Sequence, residues 1–377
     1  MRSRFILPGI PLGRWSGRPR ARHRGLIIGM TVAALWLAGA PNAHATPTWC
    51  GPDTVQAAEL PQTISPEQCD LQGVVVMDGL AGAVVPAPGT GVQVFALKVI
   101  GPEDSFAMET APDGTVTLLG VGDNPIVAPD SGATGAPTSG PASPAEPVTT
   151  AVDPTLDPDV LDPGSGPIQG DECTDEGYRW INGGEHDNHK WYMHASSIPG
   201  YFGVSNDTVI ARIREGGAHI THGTTDCNNI SLQPNLEISY QGTTSKSLQI
   251  NNDGTCFAFS DRDQQNTVGF GSLPATKVAI ACVWTILNEV TESDIRFNED
   301  QNEAKFFATD SKPSTCSELF DLEGIATHER GHTFGLGDLK TANHPNLTMR
   351  DTGVKCSLEQ RSLGKGDIKG LNYRYGF

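Results

Sequence analysis

Two histidines four residues apart, with a glutamate directly after the first, constrain this chain more than any other feature: His328-Glu329-Arg330-Gly331-His332. On a helix, positions i and i+4 share a face, so both imidazoles can bind one metal ion while Glu329 projects beside them. The preceding residues suit a helix. Leu319, Leu322, Ile325 and Ala326 stand at core spacing, and Thr315 with Glu318 fits a capping box at its start. Gly335 lies three residues after His332, where the helix must stop and the chain turn sharply; glycine accepts the positive φ this requires. Asp338, three residues further, can return to the metal as a third ligand, with His344 the next alternative. A surface helix that merely carries two histidines would need neither the glycine nor the aspartate.

Residues 328–338 therefore spell HExxHxxGxxD, and Met349 follows in the turn-like stretch Leu347-Thr348-Met349-Arg350-Asp351. This pattern resembles the metzincin clan of zinc metallopeptidases, whose motif is usually HExxHxxGxxH followed by a Met-containing turn. The resemblance implies one catalytic Zn2+ on His328, His332 and Asp338, Glu329 as general base and Met349 as the Met-turn residue. It covers residues 173–377 and is strongest over 315–375, whose tail is similar to the closing helix of secreted bacterial matrixin-like members. An Asp in the third position resembles the snapalysin-type proteases. As an anionic ligand it would make bound water less acidic than a third neutral His. No Tyr stands in the turn after Met349. Ile295, Arg296, Phe297 and Asn298 are placed like the edge strand that such enzymes pair with an extended substrate. The other zincin layout takes its third ligand from a second helix; Glu359 stands there, but Leu363 replaces the usual Asp partner.

The implied fold class is α+β, a metzincin-like domain with a twisted mixed sheet, an active-site helix and a C-terminal helix. Local patterns fill in parts of it. Lys190–Ser197, Asn266–Gly271 and Asp294–Asn298 read as strands. Asp207–Glu215 reads as a short amphipathic helix stopped by Gly216-Gly217. Thr276–Val290 reads as a buried helix, and Asp367–Tyr375 as a terminal one.

Upstream, the organisation is different. Residues 1–45 carry seven Arg, then an uncharged apolar run over 25–40, then Ala43-His44-Ala45. That is the layout of a secretory signal peptide cleaved after Ala45, and the run is short for a retained anchor. Residues 46–122 hold β-rich runs between Gly, Pro and Asp-Gly turns, and read as a small all-β N-terminal domain or pro-segment. The layout resembles a transthyretin-like sandwich; an unrelated pro-segment or spacer fits equally. Residues 123–172 contain ten Pro, six Gly and nine acids, with no Lys, Arg or aromatic residue, and read as a disordered, self-repelling linker.

Eight Cys follow the cleavage site, an even count that implies up to four disulfides in an exported chain. Cys50 with Cys69 is the expected N-terminal pair, since both precede the linker. Cys316 and Cys356 bracket the metal motif and would close a loop around it. Cys50-Gly51-Pro52-Asp53 is similar to a cysteine-switch sequence, one residue short. The acidic stretch 299–310 offers oxygens for Ca2+ without a ligand-loop pattern, and reads as a solvated face.

Charge narrows the partners. The chain has 26 Lys+Arg against 44 Asp+Glu, net −18, and all seven Arg of residues 1–45 leave with the signal. Such a surface repels phosphate backbones and anionic lipid, which argues against nucleic acid and, after signal cleavage, against membrane. The expected partner is a protein or peptide substrate, and the expected state is a secreted monomer. The reading is a secreted zinc endopeptidase; the alternative is a non-catalytic surface or adhesion module with a structural zinc.

Overall fold

A computed structural model describes residues 47–99, 104–121, 171–181, 189–232, 236–287, 289–300 and 304–376. The signal-peptide reading of 1–45 and nearly all of the linker reading of 123–172 lie outside these residues. Seven strands precede the long gap: β1 (Thr54–Gln56), β2 (Thr63–Ile64), β3 (Val75–Asp78), β4 (Ala81–Val84), β5 (Thr90–Lys98), β6 (Phe106–Thr110) and β7 (Val116–Leu119). After it come β8 (His189–Met193), α1 (Asn206–His222), β9 (Ile238–Thr243), β10 (Thr255–Cys256), β11 (Asn266–Gly271), β12 (Lys277–Ile286) and β13 (Glu289–Asn298). β14 (Lys305–Phe307), β15 (Leu319–Asp321), α2 (Leu322–Thr333) and α3 (Lys365–Tyr375) complete the described chain, a mixed α+β fold.

The main sheet has nine strands in the order β2-β7-β6-β5-β12-β13-β11-β8-β9. From β13 to β9 every pair is parallel; from β2 to β13 every pair is antiparallel. Parallel neighbours need crossovers, and α1 supplies the one from β8 to β9. A four-stranded sheet, β1-β3-β4-β10, packs on part of one face. The expected separate domain over 46–122 is not how these strands pair. β5 joins β12 antiparallel, from Thr90 opposite Ile286 to Lys98 opposite Lys277, and β4 joins β10. The segment 47–121 thus shares both larger sheets with the later chain, and Thr46–Phe377 is one unit. A self-contained sandwich would have paired its own strands instead.

The two faces of the main sheet separate along β12 with a period of two. Ala279, Ala281 and Val283 face a core with Val209, Ile210 and Ile213 of α1 and Leu322, Ile325 and Ala326 of α2. Ile280, Cys282 and Trp284 face the other core, with Val76, Ala81 and Ala83. β5 does the same: Phe95 and Leu97 lie on the helical side, Val92, Val94 and Ala96 on the other. With both faces covered, β12 needs no polar alternation, and its sequence is a nearly continuous apolar run. This is why 276–290 reads as a helix from sequence yet folds as β12 and the start of β13.

A second correction concerns α1, which runs through Gly216-Gly217 to His222 and ends at Gly223 with φ 60°. The glycines mark a crossing, not a stop. A Cβ at Gly216 would lie 2.8 Å from Ala326 Cβ, Glu323 O and Thr327 N of α2. Glycine is what lets the two backbones approach so closely.

Four disulfides are present: Cys50–Cys69, Cys173–Cys227, Cys256–Cys282 and Cys316–Cys356. Both expected pairs form, and Cys50 is no free switch thiol. Four bridges fit an extracellular, oxidising setting. Among the described residues no helix is long and apolar enough to cross a membrane.

Candidate metal centre

The metal motif lies on α2, and every residue of that helix is buried. The helix starts later than the Thr315–Glu318 capping box suggests. Its N-cap is Asp321, which accepts from Gly324 N at 3.1 Å and holds Arg361 through both oxygens, at 2.6 and 2.7 Å. It ends at Phe334, and Gly335 turns the chain with φ 91°, the left-handed conformation its place requires. Asp338 then comes back toward the two histidines.

Each imidazole is fixed by a backbone carbonyl. His328 Nδ1 donates to Thr348 O at 2.8 Å, and His332 Nδ1 donates to Leu336 O at 2.8 Å. Both Nε2 atoms are thereby left with lone pairs for a metal. They lie 3.1 Å apart, and Asp338 Oδ1 is 3.2 Å from one and 3.5 Å from the other. A tetrahedral ion bound by N and O ligands at about 2.1 Å needs those ligands about 3.4 Å apart, so the trio fits. Asp338 Oδ1 accepts no hydrogen bond, while Oδ2 accepts one from Ser105 Oγ at 2.6 Å. That division suits a carboxylate giving one oxygen to a metal.

Glu329 lies beside the trio. Both of its oxygens are buried and accept no hydrogen bond. Burial pushes its carboxyl up to about 8 with no ion to offset it. Burial works against protonation of both histidines. At His328 the Asp338 carboxylate outweighs it and raises the pKa to about 9, whereas His332 stays lowered. Two rings and a carboxylate that compete for protons in this way are the chemistry of a site built for a cation.

Met349 packs beneath the helix. A Cβ at Gly331 would collide with its Sδ, so the turn and α2 meet where α2 has no side chain. Asp367 of α3 pins the turn, accepting from Thr348 N at 2.9 Å, Met349 N at 3.3 Å and Gly364 N at 2.8 Å. Thr348 O in turn receives the His328 ring. α3 therefore reaches the metal centre through Asp367, the 348–349 backbone and His328.

The other candidates lie elsewhere. His344 Nδ1 faces Asp175, at 2.9 and 3.0 Å from its two oxygens. Glu359 is mostly exposed and pairs with Arg350 at 3.3 Å. Of the acidic stretch, Asp310 pairs with Arg212 at 2.6 Å, and residues 301–303 lie outside the described chain. Ile295, Arg296, Phe297 and Asn298 do not form an edge. They belong to β13, which has β12 on one side and β11 on the other, so their backbone groups are already used. Within residues 173–377 the outermost strand on that side is β12, and β5 covers it.

The residues missed by sequence reasoning all come from the N-terminal segment. The Phe95 ring stacks on His332, with centroids 4.2 Å apart and planes 12° from parallel. Ser105 holds Asp338. Asp104 lies between Lys98 and Lys277 and pairs with both. Nothing local marks these residues; only the pairing of β5 with β12 brings them here.

A buried centre of two histidines and one aspartate, able to hold a metal, is the class of site this α+β fold defines. No family model matches the chain. Over 87 residues it is 33% identical to Metalloendoproteinase 1 of Glycine max, a match that covers 22% of this chain and 26% of that protein. The chain thus spans about a quarter of the length of that relative. The short similarity and the buried trio both point to a metallopeptidase.

Proposed function

We propose that this chain is a secreted, zinc-dependent endopeptidase of metzincin type. The observation that carries the reading is Glu329, a buried carboxylate with no hydrogen-bond donor, set beside three convergent ligand atoms. A structural metal site has no use for such a group, whereas hydrolysis needs a base there. His328, His332 and Asp338 would hold the zinc, which when bound supplies Lewis acidity toward water and a scissile carbonyl. Glu329 takes the proton of the attacking water and hands it to the leaving amine. Met349 and Asp367 keep the His328 ring in place from below.

The sheet supports an extended peptide as substrate. β12 has an antiparallel partner along its whole length in β5, so its free edge accepts a strand by backbone hydrogen bonds. This moves the expected substrate strand from 295–298 to 277–286. The rival reading, a non-catalytic surface module with a structural zinc, draws on the burial of the whole centre. The two part on Glu329→Ala. The endopeptidase reading expects about one zinc per chain retained and peptide hydrolysis lost; the module reading expects no hydrolysis in either protein.

A further inference from the structure

The metal centre of this chain is sealed. His328, Glu329 and His332 are each 0% exposed and Asp338 is 2% exposed. A site that cuts polypeptides cannot work while no solvent, let alone a peptide, reaches its base. The seal has an identifiable source. β5 lies on β12 over nine residues; Phe95 covers the face of His332; Ser105 takes Asp338 Oδ2; Asp104 fills the space between Lys98 and Lys277. Beyond β5, Gly353 N donates to Lys98 O at 2.9 Å, tying the segment to the chain just past Met349.

We infer that residues 47–121 are an intramolecular inhibitor, a strand-shaped occupant that holds the cleft closed, and that the chain gains activity when they leave. This rests on the endopeptidase reading for its assay but not for its geometry. The block differs in kind from a thiol on the metal, since Cys50 is bonded to Cys69 and no side chain of the segment is shown entering the ligand trio. It works by occupying the strand position and covering a ligand ring.

The covalent layout permits departure. Cys50–Cys69 lies inside the segment, and the other three disulfides lie within residues 173–356. No bridge crosses between the two parts, so a backbone cut between Val121 and Asp171 leaves them joined by non-covalent contacts alone. Before the cut, the tether keeps the segment at high effective concentration; after it, dilution favours release.

The experiment uses the full chain from Thr46 with a protease recognition sequence inserted between residues 145 and 146. Cut and uncut protein are diluted from micromolar to nanomolar. Peptide hydrolysis and transfer of zinc to a chelating dye are followed side by side. The inference expects the cut chain to gain at least about 100-fold in activity per molecule on dilution, with the uncut chain unchanged. Zinc transfer should accelerate in parallel, and Phe95→Ala with Ser105→Ala should raise the uncut chain about tenfold on both readouts. Equal hydrolysis by cut and uncut chains at every dilution overturns the inference and leaves the peptidase reading intact. Silence toward peptides with faster zinc transfer after the cut supports occlusion and removes the peptidase reading. Silence with unchanged zinc transfer overturns the inference as well.

Discussion

Asp367 shows how far a single carboxylate reaches in this protein. It accepts from three backbone N–H groups, two of them in the turn that fixes His328. Replacing it with Ala leaves three buried donors unpaired, at roughly 1–3 kcal/mol for such groups in protein interiors. Because the turn carries the carbonyl that orients His328, Asp367→Ala should also weaken metal affinity by about 10- to 100-fold. Competition against a chelator of known affinity reads the second effect, and denaturant unfolding of the metal-free protein reads the first. A variant with the lower stability but unchanged affinity would break the proposed line from α3 to the ligand. Removing the metal from the wild type should lower its melting point, since a site filled at 1,000 times its Kd contributes about 4 kcal/mol. At this scale the sequence was most readable. The spacing of His328, His332, Gly335 and Asp338 follows from helix geometry and one positive φ, so residues 328–338 sufficed. Asp367 was legible only as part of a terminal helix, because its role depends on which turn that helix meets.

Between elements, the contact of α1 with α2 decides how firmly the metal helix is held. Gly216→Ala would improve intrinsic helix propensity by about 1 kcal/mol. It would also set a methyl 2.8 Å from backbone atoms of α2. Overpacking of this kind costs about 1–3 kcal/mol, and rigid backbone puts it at the upper end, so we expect net destabilisation of about 1–2 kcal/mol. A thermal melt that rises instead would show that α1 can withdraw from α2. The Cys316–Cys356 bridge holds the other end, closing 40 residues around α2 and the Met349 turn. Chain entropy values such a closure at about 4 kcal/mol, so the double Ala variant should unfold at clearly lower denaturant. Element type was partly hidden in the sequence for definite reasons. Gly216-Gly217 reads as a stop unless a crossing helix is known. The run from 276 to 290 lacks alternation because both of its faces are covered, and length alone does not separate a buried strand from a buried helix.

The whole molecule places its excess acidity and its metal centre in different hands. Residues 46–172 hold 18 acids and one base, Lys98, and that one base is spent at the cleft beside Asp104 and Lys277. The β-rich character of residues 46–122 was plain from their composition and turns. Their partner was not, because strand pairing across some 180 residues leaves no local trace: β5 would pair as well with any free edge of suitable pattern. The same non-locality moved the expected substrate strand. Position in sequence put 295–298 at an edge, while the order of β12, β13 and β11 puts them inside.

The central claim, that Glu329 is the base of a zinc endopeptidase, has a direct test. The chain is cut between Val121 and Asp171, diluted to release the segment, and assayed on casein and on a mixed peptide library, as wild type and as Glu329→Ala. Zinc content is measured on both proteins. The account predicts about one zinc per chain in each, hydrolysis by the wild type, and loss of at least about 100-fold in the variant. A Glu329→Ala protein that keeps its zinc and still cleaves at the wild-type rate would contradict it.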